Sequence, residues 1–125
     1  MRNINLFKCV FVLLICALLF SGVGCTSSKE DKIPITTSSE KAMEYFLKGR
    51  ALSEKLRAQE SLQYFEKATA EDPNFAIGYL YLSAAQPSAK GFFEKLNKGV
   101  ALAEKVTEGE RLWILGVQAG VNAFQ

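Results

Sequence analysis

The feature that most constrains the fold is Pro73, which separates two segments whose residues follow helical periodicity. Residues recur at helical spacing on both sides of it: the stripe Leu62, Phe65, Ala68 and Thr69 before, and the apolar residues Phe75, Tyr79 and Leu82 after. Proline removes a backbone donor and pushes the residue before it out of the helical region. The segment Asp72-Pro73-Asn74 therefore predicts a turn between two amphipathic helices.

The rest of the chain after Ser39 also has helical spacing. Thr37 with Glu40, and Thr107 with Glu110, match the capping box that opens a helix, and Pro87 ends another. We therefore expect five helices: one from the Thr37 cap, one ending at Asp72, and three over about 74–86, 89–106 and from 107 onward. No segment alternates for long as a strand does, so the predicted fold class is all-α.

Residues 42–75 resemble a tetratricopeptide repeat, a helical hairpin of 34 residues. The matching signature residues are Tyr45, Gly49, Leu52, Ser61, Phe65, Ala68 and Pro73. Lys48 departs from the pattern, where leucine is usual. A weaker second copy begins at Ala76, and the helix after Thr107 fits the start of a third. The resemblance implies tandem antiparallel hairpins, about two and a half repeats of an α-solenoid, over residues 40–125.

Repeat arrays need about three units and atypical terminal repeats to cover their apolar end faces. We therefore expect either that the sequence is part of a longer chain or that its last helix packs on another chain.

The first 24 residues have the layout of a secretory signal peptide. Arg2 and Lys8 flank the start, and the apolar run Cys9–Phe20 is followed by small residues. As a helix, this run of twelve residues would reach about 18 Å, against about 30 Å for the hydrocarbon core of a bilayer. The run is therefore too short for a lasting transmembrane span.

Cys25 directly follows the small residue Gly24 and resembles the lipobox cysteine of bacterial lipoproteins. The resemblance implies cleavage before Cys25, lipid on its thiol, and anchoring to a membrane of the bacterial cell envelope. Gly22 departs from the usual leucine three residues before the cysteine. The alternative is an ordinary signal peptide with a chance cysteine. In the lipoprotein interpretation, residues 25–39 comprise the lipid attachment site and a flexible polar tether.

The composition excludes several function classes. The 15 basic residues include Arg2 and Lys8, so the mature chain has 13 against 13 acidic residues, which argues against a nucleic-acid binder. There is no histidine, the commonest general base and metal ligand. We expect no catalytic residues, no metal and no cofactor. The glutamates are expected on solvated helix faces: Glu54, Glu60, Glu66, Glu71, Glu94, Glu104, Glu108 and Glu110.

In tetratricopeptide arrays the first helix of each hairpin lines a concave groove that binds peptides or proteins. By position, the resemblance assigns the groove to Met43, Phe46, Arg50, Ser53, Glu54, Ile77, Leu80 and Ala84. Trp113 is either a ligand-stacking residue or part of the core, and its spacing favours the core.

The leading hypothesis is a lipid-anchored scaffold, without enzymatic activity, that binds a partner protein through this groove. Two alternatives remain open. The chain is the docking part of a longer protein whose further region carries an activity, or it is a small structural lipoprotein that associates with itself through the last helix.

Overall fold

The computed structural model describes residues 33–124, which form five α-helices and one 3₁₀ turn. The helices are α1 (Glu40–Ser53), α2 (Ala58–Glu71), α3 (Ala76–Ala84), α4 (Ala89–Leu102) and α5 (Glu108–Asn122), and the 3₁₀ turn is Ala103–Lys105. No strand occurs among these residues. The prediction of an all-α fold is confirmed for this part of the chain.

Helices α1 and α2 form an antiparallel hairpin. The side chain of Lys41, near the start of α1, lies 2.6 Å from that of Glu71, the last residue of α2. At position 49 the helices approach so closely that a Cβ atom would lie 2.7 Å from the Phe65 ring. A side chain at position 49 would therefore displace the buried Phe65 ring.

The turn after α1 closes through a Schellman motif. The amide of Arg57 donates to the carbonyl of Leu52, and the amide of Leu56 donates to that of Ser53. Leu56 has φ 59°, the left-handed conformation that such a motif requires. The short connection returns the chain directly onto α1.

Helices α3 and α4 form a second antiparallel hairpin. A Cβ atom at Gly99, late in α4, would lie 3.3 Å from the carbonyl oxygen of Ala76, the first residue of α3. Both helices are shorter than predicted. Asp72 accepts a hydrogen bond from the amide of Asn74, which holds the segment before Ala76 in a turn. After Leu102 the chain tightens into the 3₁₀ turn rather than continuing as α-helix to Val106.

One of the two predicted capping boxes is wrong and the other is confirmed. Ser39 caps α1, because its hydroxyl accepts from the amide of Ala42 at 3.1 Å. The hydroxyl of Thr37 donates instead to Asp72 at 2.6 Å. At α5, Thr107 and Glu110 form the reciprocal capping box that the sequence predicts.

Residues 33–38, here called the strap, pack on the helices. The prediction of a flexible tether over residues 25–39 is therefore wrong for residues 33–38. The amide and hydroxyl of Thr36 donate to the carboxylate of Glu110 at 2.7 and 2.6 Å. The amide of Ser38 donates to Asp72 at 2.9 Å, and Ile35 packs against the core. Two buried carboxylates on distant elements therefore hold the strap.

Glu110 is fully buried, so its prediction as a solvated residue is wrong, whereas the other seven glutamates of that set are exposed. Its burial is stabilised by donors from Thr36 and Thr107, so that both carboxylate oxygens accept hydrogen bonds. No helix within residues 33–124 is both long enough and apolar enough to cross a membrane.

Candidate functional site

The structure divides the predicted groove residues between core and surface. Phe46 and Ile77 are fully buried, so their assignment to an open groove is wrong, whereas Leu80 is buried except for a small part of its surface. The partly or fully exposed members are Met43, Arg50, Ser53, Glu54 and Ala84. The physical reason is clearest at Phe46, which is enclosed by the rings of Phe65, Phe75 and Tyr81 at centroid distances of 5.9, 5.2 and 5.0 Å.

The repeat-signature residues occupy a range of environments. Gly49, Ser61, Phe65 and Ala68 are buried, Tyr45 and Leu52 are half-buried, and Pro73 is exposed in the turn after α2. The hydroxyl of Ser61 donates to the carbonyl of Ala58 at 2.8 Å, so its burial leaves no unpaired donor.

A cavity of about 190 Å³ lies where α3, α4 and α5 meet, and we call it the cleft. Its lining residues are Leu80, Tyr81, Ser83, Ala84, Phe92, Trp113 and Val117. Among the predicted groove residues, only Leu80 and Ala84 belong to it. The cleft is therefore displaced from the predicted groove toward α5.

Tyr81 is the residue that joins the wall of the cleft to the core. Its ring lies 5.0 Å from that of Phe46 in α1, 5.5 Å from Phe65 in α2, and 5.8 Å from Trp113 in α5. The last pair is edge-to-face, at 85°, a favoured geometry for aromatic rings. Sequence reasoning missed Tyr81, although its signal was a second aromatic residue two positions after Tyr79.

Trp113 combines the two roles that its sequence context left open. It packs against Tyr81 as part of the partly buried shell around the core, and it also lines the cleft. It borders a second, wider depression of about 520 Å³ as well, with Ile33, Gly109 and Leu112. The first residue of the strap thus borders the same depression as this tryptophan.

Two opposite charges lie near the phenol of Tyr81. Burial raises the pKa of Tyr81 above its usual value, Arg50 opposes this shift, and Glu54 adds to it. The Nε atom of Arg50 lies 3.6 Å from a carboxylate oxygen of Glu54, whose side chain is 70% exposed. The guanidinium also lies 5.9 Å from the Phe46 ring centroid. The edge of the site near α1 is therefore polar, whereas the cleft itself is apolar.

The strap holds α5, one wall of the cleft, in place. Glu110 lies in the first turn of α5, three residues before Trp113, and the strap crosses from it to Asp72. Burial alone would raise the pKa of Asp72, but hydrogen bonds from Thr37, Ser38 and Asn74 hold it below its usual value. This contribution to stability is therefore present above the ordinary pKa of 3.8 and is lost as the pH falls through the lowered value.

The arrangement offers apolar contact and shape rather than a cluster of reactive groups. Within residues 33–124, no group of three or more Cys, Asp or Glu side chains could hold a metal ion. The predicted signal peptide and lipid attachment site at Cys25 lie outside the described residues.

Comparison of the chain with models of known protein families, with curated proteins and with solved structures gave no match.

Proposed function

We propose that this chain is a tetratricopeptide-like docking region of a lipid-anchored protein in the bacterial cell envelope, and that it binds a segment of a partner protein in the cleft. Two antiparallel hairpins followed by a fifth helix are the element order that such an array requires. The binding region acts without catalysis of its own.

The observation that carries the proposal is the position of Tyr81. Its contacts with Phe46 and Trp113 join α1, α3 and α5, the first helices of the successive hairpins. The same contacts leave an apolar cleft open beside them. Clefts lined by aromatic and aliphatic side chains, with a few polar groups at the edge, are common recognition sites.

Photo-crosslinking in cells tests the binding surface. A crosslinking amino acid at position 84, in the exposed lining of the cleft, is expected to give a discrete higher-mass adduct in the envelope fraction. The same amino acid at Ala70, an exposed position of α2 outside the cleft, is the matched control and should give none. Equal adducts at both positions, or none at position 84, would contradict binding in the cleft.

The anchor is tested separately by Cys25→Ser. The thiol is the acceptor of the lipid in lipoproteins, so the variant is expected to remain uncleaved, or to be released from the membrane if another peptidase acts. Fractionation and the mass of the N-terminal peptide measure both outcomes. A variant that is processed as the wild type and stays in the membrane fraction would remove the lipid anchor from the proposal.

A second candidate, self-association through α5, is favoured by the free face of that helix. Leu112 is 57% exposed, and side chains added at Gly116 and Gly120 would meet nothing within 4 Å. Residues 112–122 of this helix carry no charged side chain. Light scattering over a range of concentrations tests this candidate, and a mass of one chain throughout would reject it.

A further inference from the structure

We propose that the cleft recognises its partner segment through one large apolar side chain, which enters the cleft, and a nearby acidic side chain, which pairs with Arg50. This inference rests on the proposed function, because it names the chemistry of the segment that docks there. It concerns the cleft and the polar edge formed by Arg50 and Glu54 together.

The size of the cleft limits what it holds. Its volume of about 190 Å³ is below the range of roughly 300–1,000 Å³ that is usual for cofactor and drug-sized ligands. An engineered apolar cavity of about 150 Å³ accepts benzene. The cleft therefore fits one side chain of the size of leucine or phenylalanine.

The lining explains why this side chain should be apolar. Three aromatic rings, those of Tyr81, Phe92 and Trp113, contribute to the walls. The one hydroxyl from a serine in the lining, that of Ser83, already donates to the carbonyl of Leu80 at 2.6 Å. A polar side chain placed in the cleft would lose its water and gain few partners, which costs free energy.

Arg50 supplies charge complementarity within reach of the cleft. The guanidinium lies 5.9 Å from the Phe46 ring, Phe46 lies 5.0 Å from Tyr81, and Tyr81 lies 5.8 Å from Trp113. Because Phe46 is fully buried, these distances set an upper limit on the straight-line separation of Arg50 and Trp113, which about five extended residues would span at about 3.3 Å per residue. An acidic residue within about five positions of the apolar one can therefore reach Arg50.

Glu54 allows the charge pairing to be tested by the direction in which the affinity for the peptide changes. It is the intramolecular partner of Arg50, at 3.6 Å, and its side chain is mostly exposed. A partner carboxylate must compete with it. Removing the charge of Glu54 should strengthen binding of an acidic peptide, whereas removing that of Arg50 should weaken it.

The first measurement is selection of peptides from a displayed random library on the whole chain purified in detergent. The expected enriched sequences carry leucine or an aromatic residue with aspartate or glutamate within about five positions. No enrichment, or enrichment of basic sequences or of sequences without an apolar residue, would overturn the proposal. Trp113 is the only tryptophan, so its fluorescence then measures the affinity of a tryptophan-free enriched peptide directly.

The variants then assign the two contacts. Ala84→Leu places extra side chain in the cleft from an exposed position and should weaken binding at least tenfold, whereas Ala70→Leu should not change it. Arg50→Gln should weaken binding about three- to tenfold, and Glu54→Gln should strengthen it about two- to threefold. Equal affinities of Arg50→Gln and Glu54→Gln would overturn the role of the charge.

Other occupants give other results. A change in Trp113 emission that depends on protein concentration without peptide, and that Ala84→Leu abolishes, would identify a second copy as the occupant of the cleft and would overturn this proposal. A crosslinked partner at position 84, combined with no apolar and acidic consensus, would leave the proposed function standing and reject this chemistry alone.

Discussion

Phe46→Ala is expected to lower the free energy of unfolding by about 3–5 kcal/mol. Phe46 is fully buried, and its ring contacts those of Phe65 in α2, Phe75 just before α3 and Tyr81 in α3. Removing it deletes apolar contact from both hairpins and leaves a cavity that its rigid aromatic neighbours cannot fill. Chemical denaturation followed by circular dichroism at 222 nm, a wavelength set by the helical content, measures the change.

The neighbouring residue provides the control. Leu47 is next to Phe46 in α1 and is 44% exposed, so Leu47→Ala should cost much less, about 1 kcal/mol or below. Total stability of a small domain is about 5–15 kcal/mol, so Phe46→Ala could leave too little folded protein to measure. Phe46→Leu then serves as the milder variant, with an expected cost of about 1–2 kcal/mol. Equal midpoints for the wild type and both Phe46 variants would contradict the core position.

The helices were predictable from the sequence because their signals are local. Apolar spacing, Pro73 and the Thr107–Glu110 pair depend on residues within a few positions of one another. The cap of α1 was mispredicted because the competing partner is distant in sequence. Thr37 donates to Asp72, 35 residues away, and Ser39 is left as the cap.

The groove positions were less predictable because a repeat position indicates a helix face and not what covers it. Phe46 and Ile77 lie on the first helices of their hairpins, as the tetratricopeptide alignment expects, but both are fully buried. Tyr81 joins four helices at once, and no spacing within one segment encodes such a contact. Burial by contacts between hairpins is therefore not predictable from the spacing of residues within one helix.

Glu110 is another residue whose burial could not be predicted from local sequence patterns. The capping box correctly placed it in the first turn of α5, but its charge favoured an exposed position. Its burial depends on the strap, whose threonine lies 74 residues earlier. The strap was predicted as part of a tether because its own sequence does not indicate which carboxylates bind it.

Glu110→Gln is the second variant with a large expected effect, about 2–4 kcal/mol of unfolding free energy. The carboxylate accepts from the amide and hydroxyl of Thr36 and from those of Thr107, all between 2.6 and 3.1 Å. Glutamine has nearly the same size but replaces one acceptor oxygen with a donor. At least one of the four donors must then lose its partner in a buried site.

The same variant should change the environment of Trp113, which lies about one helical turn further along α5. Loss of the strap contact frees the start of α5, so we expect a red shift of the tryptophan emission below the main unfolding transition. Glu108→Gln is the control, since Glu108 is exposed in the same first turn and should cost no more than about 0.5 kcal/mol. Equal stability of the two glutamine variants would show that the buried carboxylate does not hold the strap.

A double-mutant cycle separates the strap from the helix cap, because Glu110 serves both. Thr36→Val removes the hydroxyl of the strap that donates to Glu110 and leaves the capping partner Thr107 unchanged. If the strap carries part of the effect, the double variant Thr36→Val with Glu110→Gln should cost less than the two single changes added together, because the shared hydrogen bond is lost only once. Strict additivity would show that the Thr36 hydroxyl adds nothing to the effect of Glu110→Gln, and would leave the cap of α5 and the Thr36 amide as its source.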